Sequence, residues 1–387
     1  MDTLYCQLLA CLAAYARGER AGVLEGMEDW DALRTLAGHH KLEAVVYSTL
    51  SREAAFCGGN PEMISGWRQR AYAMAMSQSR KNASLFALAT AMDFPFAVVK
   101  GAVCRTLYKN PELRISGDED IYIRKEDYDR AAAALEKAGF ALHGGSKDDV
   151  THWFCGKSGL HIELHTRLLE DDAEESLFAD FVPVPLTTES GTLLTLAPEL
   201  HLAFLVCHAR KHLITGGVGI RTLCDIALFY RKYRAELNET ELNTLLEKLS
   251  CRALFLHILA IGKDALGIDC DSLDLPPMAQ DLLEDVLEAG IYGQSTLTRH
   301  HSGTYTAQQV KGKKSLLRTL FPTREALQAR YPVLKEHPGR LPLVWLQRLG
   351  SYAKEVSSQT DSSPAESLQL GKKRLEMLVK YDIISKD

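Results

Sequence analysis

The stretch GDEDIYI, residues 117–123, limits what this chain can fold into more than any other segment. Its period of two is that of a strand, so Asp118, Asp120 and Tyr122 share one face while Glu119, Ile121 and Ile123 share the other. Three consecutive acids at the foot of that strand repel one another unless cations are brought to them. The flanks supply a fold around it. Upstream, FPFAVVKG reads as a short buried strand stopped by Lys100-Gly101, followed by a helix AVCRTLYKN that ends before Pro111. Downstream, the helix KEDYDRAAAALEKAG closes at Gly139, and FALHGG, THWFCG and GLHIELHTRLL read as further strands. Residues 91–190 are therefore expected to form a small mixed-sheet α/β domain.

Helical periodicity governs the rest. LYCQLLACLAAYARG, DWDALRTLAGHHKLEAVVYSTLSREA and the long run MISGWRQRAYAMAMSQSRKNASLFALATAMD predict a helical domain over 1–90. After VPVPL the pattern returns, predicting a helical domain over 191–300 and a C-terminal helical arm over 301–387, with a flexible linker near 356–366 in SSQTDSSPAES. The fold class expected is α+β, mostly helical, with the small sheet flanked by helical domains. The charge of −5, with 45 basic and 50 acidic residues interspersed, provides no global field for nucleic acid, and KGKK at 311–314 is only a short basic turn. Nine scattered cysteines without a C-x-x-C pair predict free thiols in a reducing compartment. The absence of a basic n-region before the first apolar run, and of any apolar run of membrane-spanning length, adds the expectation of a cytoplasmic protein with no membrane partner.

Carboxylates at i and i+2 of one strand can share a divalent ion, which would remove the repulsion in DED; the alternative is a solvated acidic strand end. Lys100-Gly101, at a strand-to-helix turn, would offer backbone N–H groups and an ammonium to phosphates. In GLHIELH, Glu163 faces with His161 and His165. That leaves two readings, a His-Glu-His metal triad or a single carboxylate completing the aspartate pair; HIELH lacks the helical spacing of the H-E-x-x-H zinc motif. Arg114 either faces phosphates or pairs with Glu112, and Arg105 reads as a solvated helix residue. His208, Lys211 and His212 precede GGVGIR, a tight bend between helices, and Arg221 and Asp225 stand at the i, i+4 spacing of an ordinary salt bridge.

VVKG before a helix, GDED with alternating apolar residues, a helix ending in AGF, and HIELH together resemble the nucleotidyltransferase superfamily of DNA polymerase beta, and more closely its bacterial uncharacterised nucleotidyltransferases. The resemblance extends through KHLITGGVGIRTLCDIALF, LFPTREALQARYPVLKEHPGRLPLVWLQR and GKKRLEMLVKYDII. It implies catalytic, metal-binding acids at Asp118, Asp120 and Glu163, holding two Mg²⁺ ions for which Mn²⁺ can substitute. It implies substrate contacts from Lys100, Gly101, Arg114 and His165, and brings His212 and Arg221 either to the cleft or to a buried structural network. The activity implied is transfer of a nucleoside monophosphate from a nucleoside triphosphate, ATP among them, to a hydroxyl on a small molecule, protein or RNA. The chain departs from the superfamily pattern at the helix start, where Lys100-Gly101 replaces Gly-Gly or Gly-Ser. That departure keeps a second expectation open, a catalytically silent relative that binds a nucleotide or a partner.

Overall fold

The computed structural model describes residues 2–21, 29–271, 273–291, 297–311, 323–327, 331, 333–358 and 364–385. It is mostly helical, with one five-stranded mixed sheet and one two-stranded sheet, an α+β protein. Residues 359–363 of the expected linker at 356–366, and residues 312–314 of the basic turn at 311–314, lie outside the described residues. No described helix is long and apolar enough to cross a membrane. The chain divides into two compact units: residues 1–210 with 219–287, and residues 211–218 with 288–387.

The first unit opens with helices α1 (Thr3–Arg17), α2 (Trp30–His39), α3 (Glu43–Leu50), α4 (Ala54–Cys57) and α5 (Pro61–Ala91). Their starts are written in the sequence. Asp2, Asp29 and Asn60 accept hydrogen bonds from N–H groups that a first helical turn leaves unmade, and Pro61 follows its cap at a position that needs no donor. Trp67 of α5 is 1% exposed, and its indole N–H donates to the Glu43 carbonyl. Burying an indole costs little when its one donor is satisfied.

The sheet follows the order β1 (Phe96–Val99), β2 (Asp118–Ile123), β5 (Leu160–His165), β4 (Val150–Cys155), β3 (Ala141–Gly145). Only the central pair β2 and β5 is parallel, placing Asp120 opposite Glu163 and Tyr122 opposite His165. The alternation in β5 appears as expected, with Leu160, Ile162 and Leu164 fully buried and the polar residues turned the other way. Helices α6 (Gly101–Arg105) and α7 (Tyr128–Lys137) lie on either side of β2 in sequence, and α8 (Asp172–Ala179) follows β5. The helix after β1 is much shorter than the expected run to Asn110. A second sheet was not anticipated: β6 (Val184–Thr188) and β7 (Gly191–Thr195) form a hairpin where the prolines of VPVPL suggested only a break. Pro185 is tolerated because a two-stranded ribbon has an edge on each side. Helices α9 (Pro198–Thr215), α10 (Ile220–Tyr233), α11 (Glu239–Lys248), α12 (Arg252–Asp264) and α13 (Gln280–Ala289) follow.

A relay of hydrogen bonds ties the hairpin and α9 to the end of β1. Lys100 N–H donates to His201 Nε2 at 3.3 Å, so Nδ1 carries the proton and donates to Thr195 Oγ1 at 2.9 Å; that hydroxyl donates to the Val98 carbonyl at 2.8 Å. The backbone of Lys100 is thereby pinned at φ 55°, ψ −113°, a region that favours glycine. A side chain there costs about 1–3 kcal/mol.

Two corrections concern arginines. Arg105 is no solvated residue: it is 2% exposed, and its Nη1 donates to Glu119 and Ser116, both at 2.6 Å. Arg114 pairs with Asp225, whose carboxylate also accepts from the Tyr108 hydroxyl at 2.8 Å.

The second unit contains α14 (Leu297–Lys311), α15 (Leu341–Ser358) and α16 (Pro364–Lys380). Gly371 of α16 lets Tyr305 of α14 approach closely, since a Cβ there would lie 2.7 Å from the ring. A small core gathers Leu327, Leu334 and Val344.

Two outcomes are expected of the first unit. A Cβ on Gly101 would sit 2.1 Å from Glu119 Oε2, a carboxylate held by Arg105, Ser116 and the Ala102 N–H, so Gly101→Ala should lower stability by about 1–3 kcal/mol. Gly66→Ala in α5, where nothing lies within 4 Å, should raise it by about 0.5–1 kcal/mol. Urea midpoints decide, and the reverse order would refute the packing described. The second outcome concerns acid. Burial, with the Lys100 charge adding to it, pushes the His201 pKa down to about 3 from an ordinary 6.5. The folded state thus resists a proton the unfolded chain accepts, so this stability is present above pH ~6.5 and is lost as pH falls toward ~3. Wild type should lose up to about 1.4 kcal/mol per pH unit more than His201→Gln across that window, and parallel urea midpoints would rule the relay out.

Candidate active site

The parallel pairing of β2 with β5 brings the acids together. Asp120 is 3% exposed and Glu163 lies beside it across the ladder. His165 Nε2 is 3.1 Å from Asp120 Oδ1 and 3.5 Å from Glu163 Oε2. One ligand atom from each of Asp120, Glu163 and His165 lies within 4.8 Å of the other two. On the outer side of β5, His152 Nδ1 of β4 is 3.5 Å from Glu163 Oε1. His161, the other histidine of HIELH, instead stacks on Phe154 with centroids 4.4 Å apart.

The protein brings its own cations to this cluster. The ammonium of Lys100 lies 2.6 Å from Asp120 Oδ1. Burial alone would push the Asp120 carboxyl up, but Lys100 and His165 outweigh it and hold the pKa well below the carboxylate range. Burial likewise opposes the charge on His165, yet hydrogen bonds to Asp120 and Glu163 raise its pKa to about 9. Asp118, half-buried at the start of β2, is pushed up by burial and by the neighbouring Asp120 and Glu163 charges, against the pull of Lys100 and Lys41. Three carboxylates, those of Asp118, Asp120 and Glu163, thus gather around Lys100 and His165.

Further cations surround the turn that enters β2. Lys81 of α5 donates to the Ser116 carbonyl at 3.3 Å, and Arg221 of α10 donates to the Ile115 carbonyl. Lys41, between α2 and α3, places its Nζ 3.4 Å from where a Cβ on Gly117 would be. Burial and the nearby Arg221 lower its pKa, while Asp118 raises it. Nothing in the local sequence marks Lys41 or Lys81, because both come from far upstream, Lys41 from the turn between α2 and α3 and Lys81 from α5, whose only periodic signal is apolar.

The two faces of β2 have different tasks. Glu119 is fully buried on the face opposite Asp120, where Arg105, Ser116 and the N–H of Ala102 satisfy its carboxylate. The helix start that sequence reasoning assigned to phosphate therefore already holds an anion, and Gly101 is turned to Glu119. Arg114 is also directed elsewhere: it is 4% exposed and paired with Asp225, bracing the 111–117 segment against α10. His212 belongs to the second unit. Of the residues singled out in sequence, Asp118, Asp120, Glu163, His165 and Lys100 converge, and Arg221 reaches the adjoining turn.

The donor set suits a divalent cation: two carboxylates and an imidazole within reach of one ion, with a third carboxylate beside them. Coordination would require Lys100 to move off Asp120 and His165 to release its proton.

No curated protein matches the chain. One solved structure, an antigenic nucleotidyltransferase-like protein from Paracoccidioides brasiliensis, aligns over 50% of this chain and 93% of its own at 14% identity, with a TM-score of 0.31. Residues 26–267 match the model of a family described as uncharacterised nucleotidyltransferase. That span is more than half of the chain and includes every residue of the acid cluster and its cations, and the chain therefore belongs to the uncharacterised nucleotidyltransferase family.

Proposed function

We propose that the protein is a metal-dependent nucleotidyltransferase that moves a nucleoside monophosphate from a nucleoside triphosphate to a hydroxyl acceptor. The observation that carries this reading is the convergence of Asp120, Glu163 and His165 within 4.8 Å on two adjacent parallel strands, with Asp118 alongside. Asp118, Asp120 and Glu163 would hold Mg²⁺, two ions in the full arrangement, with Mn²⁺ as a substitute. A bound divalent ion supplies charge neutralisation at the phosphates and lowers the pKa of the attacking hydroxyl.

The chain's own residues then position and neutralise, which is most of what phosphoryl chemistry requires. With the α6 start filled by Glu119, the triphosphate would be gripped by Lys41, Lys81 and Arg221 around Gly117, and by Lys100 once its ammonium turns from Asp120 to the phosphates. His165, hydrogen-bonded to Asp120 and Glu163, orients both carboxylates and can take or return a proton at Nε2. The acceptor is a hydroxyl of a small molecule, a protein or an RNA, reached in the cytoplasm.

A second reading, a relative that binds a nucleotide without turnover, is favoured by one observation: the Lys100 ammonium lies 2.6 Å from Asp120, where a cation would sit. The first measurement tests both readings and the second separates them. Mg²⁺ or Mn²⁺ with a nucleoside triphosphate should raise the melting temperature, corresponding to about 2.7 kcal/mol at a hundredfold excess over Kd. The double variant Asp120→Asn, Glu163→Gln should lose that shift, and the absence of a shift with any triphosphate and either metal would sink both readings. Next, triphosphate labelled at the α-phosphorus should pass label to an acceptor in cell lysate, while label at the γ-phosphorus should not. A melting shift without transfer of α-label selects the silent relative.

A further inference from the structure

A cleft of about 520 Å³ lies between α5, α6, the 109–112 segment and the β6–β7 hairpin. Its lining includes Ala102 and Arg105, the residues that bind Glu119, so it belongs to the face of β2 turned away from Asp120. The volume lies in the range of small-molecule sites, roughly 300–1,000 Å³.

Its chemistry favours an anion bearing hydroxyls. Arg105 is 2% exposed, and while its Nη1 serves Glu119 and Ser116, its Nη2 is buried with no hydrogen-bond partner among the described residues. A buried charged group left with an unmade hydrogen bond is destabilising, so an acceptor that reaches it gains what the fold leaves unsatisfied. Lys109 and Lys232, both exposed, add two ammonium groups to the lining. The Lys232 ammonium is 3.1 Å from Thr106 Oγ1. Opposite these cations, Thr188 and Ser190 of the hairpin offer hydroxyls, Glu112 and Glu189 offer acceptors for ligand hydroxyls, and Phe86 offers a ring edge or face.

We propose that this cleft is a second ligand site for a small phosphorylated polyol or sugar, with the phosphate at Arg105, Lys109 and Lys232 and the hydroxyls at the acidic and hairpin residues. The site is separate from the acids on the other face of β2 and does not depend on the transfer reaction assigned to them. It shares α6 with the Lys100 turn, so its occupant binds a structural element that the acid cluster also uses.

The test is ³¹P NMR of ribose 5-phosphate titrated with the full chain, without divalent metal. The expected result is saturable line broadening, weaker for inorganic phosphate, which lacks the hydroxyls. Two variants should weaken binding by about tenfold or more, equivalent to ~1.4 kcal/mol: the double variant Lys109→Ala, Lys232→Ala, which removes only exposed ammonium groups, and Ser190→Trp, which fills the cleft from the hairpin. Lys41→Ala should leave binding unchanged. Absence of saturable binding at millimolar concentration, binding retained in both cleft variants, or binding lost in Lys41→Ala would each overturn the proposal, the last by assigning the phosphate to the acid cluster.

Discussion

Two carboxylates on successive residues of β2, Glu119 and Asp120, are buried on opposite faces of one strand, and the rest of the site depends on how each is neutralised. Both are served by one turn: Arg105 and the Ala102 N–H reach Glu119, while Lys100 reaches Asp120. An unpaired buried charge would cost several kcal/mol, and removing one partner of such a pair typically costs about 3–5 kcal/mol. The turn between β1 and α6 therefore cannot drift without exposing a charge on one face or the other. The His201 relay fixes its backbone from below, and Arg114 with Asp225 fixes the approach to β2 from the opposite end.

This compensation also explains how a negative cluster can exist without unfolding the sheet. Parallel pairing of β2 with β5 forces Asp120 and Glu163 into neighbouring positions, and His165 two residues further on returns to bond both. Burial pulls the pKa of both His165 and Lys100 down, and it is the neighbouring acids that raise both above their ordinary values. Such a cluster is preorganised around positive charge. It accepts a cation of its own chain in one state, and is suited to exchange it for another.

Much of the sheet was legible because a period of two leaves little freedom. The alternation in GDEDIYI and GLHIELH fixed which acids share a face, and burial of Ile121, Ile162 and Leu164 on the other side follows directly. The partners of the acids were far less legible. Arg105 reads as a solvated helix residue, and Arg114 as facing phosphates or pairing with Glu112, because sequence carries no sign of the buried carboxylates they meet, Glu119 on the following strand and Asp225 more than a hundred positions away. Lys81 lies on α5 and Lys41 on the turn between α2 and α3, and the apolar stripes of those helices determine packing but say nothing of what neighbouring polar residues face. The β6–β7 hairpin was obscured by prolines that are excluded from central strands but not from a two-stranded ribbon.

The departure from a Gly-Gly turn has a local logic. Gly101 is required, because the Glu119 carboxylate occupies the space of a side chain at that position. Lys100 is not required by the backbone, which at φ 55° would be more comfortable with glycine. Its presence implies that the ammonium returns more than the strain of about 1–3 kcal/mol removes, and the Asp120 pair 2.6 Å away is the contact that returns it. A glycine here would relax the turn but leave Asp120 facing Glu163 and Asp118 with His165 as its sole close cation among the described residues. The lysine is thus a counter-ion built into the turn, and the acid cluster and the strained backbone beside it are two parts of one electrostatic solution.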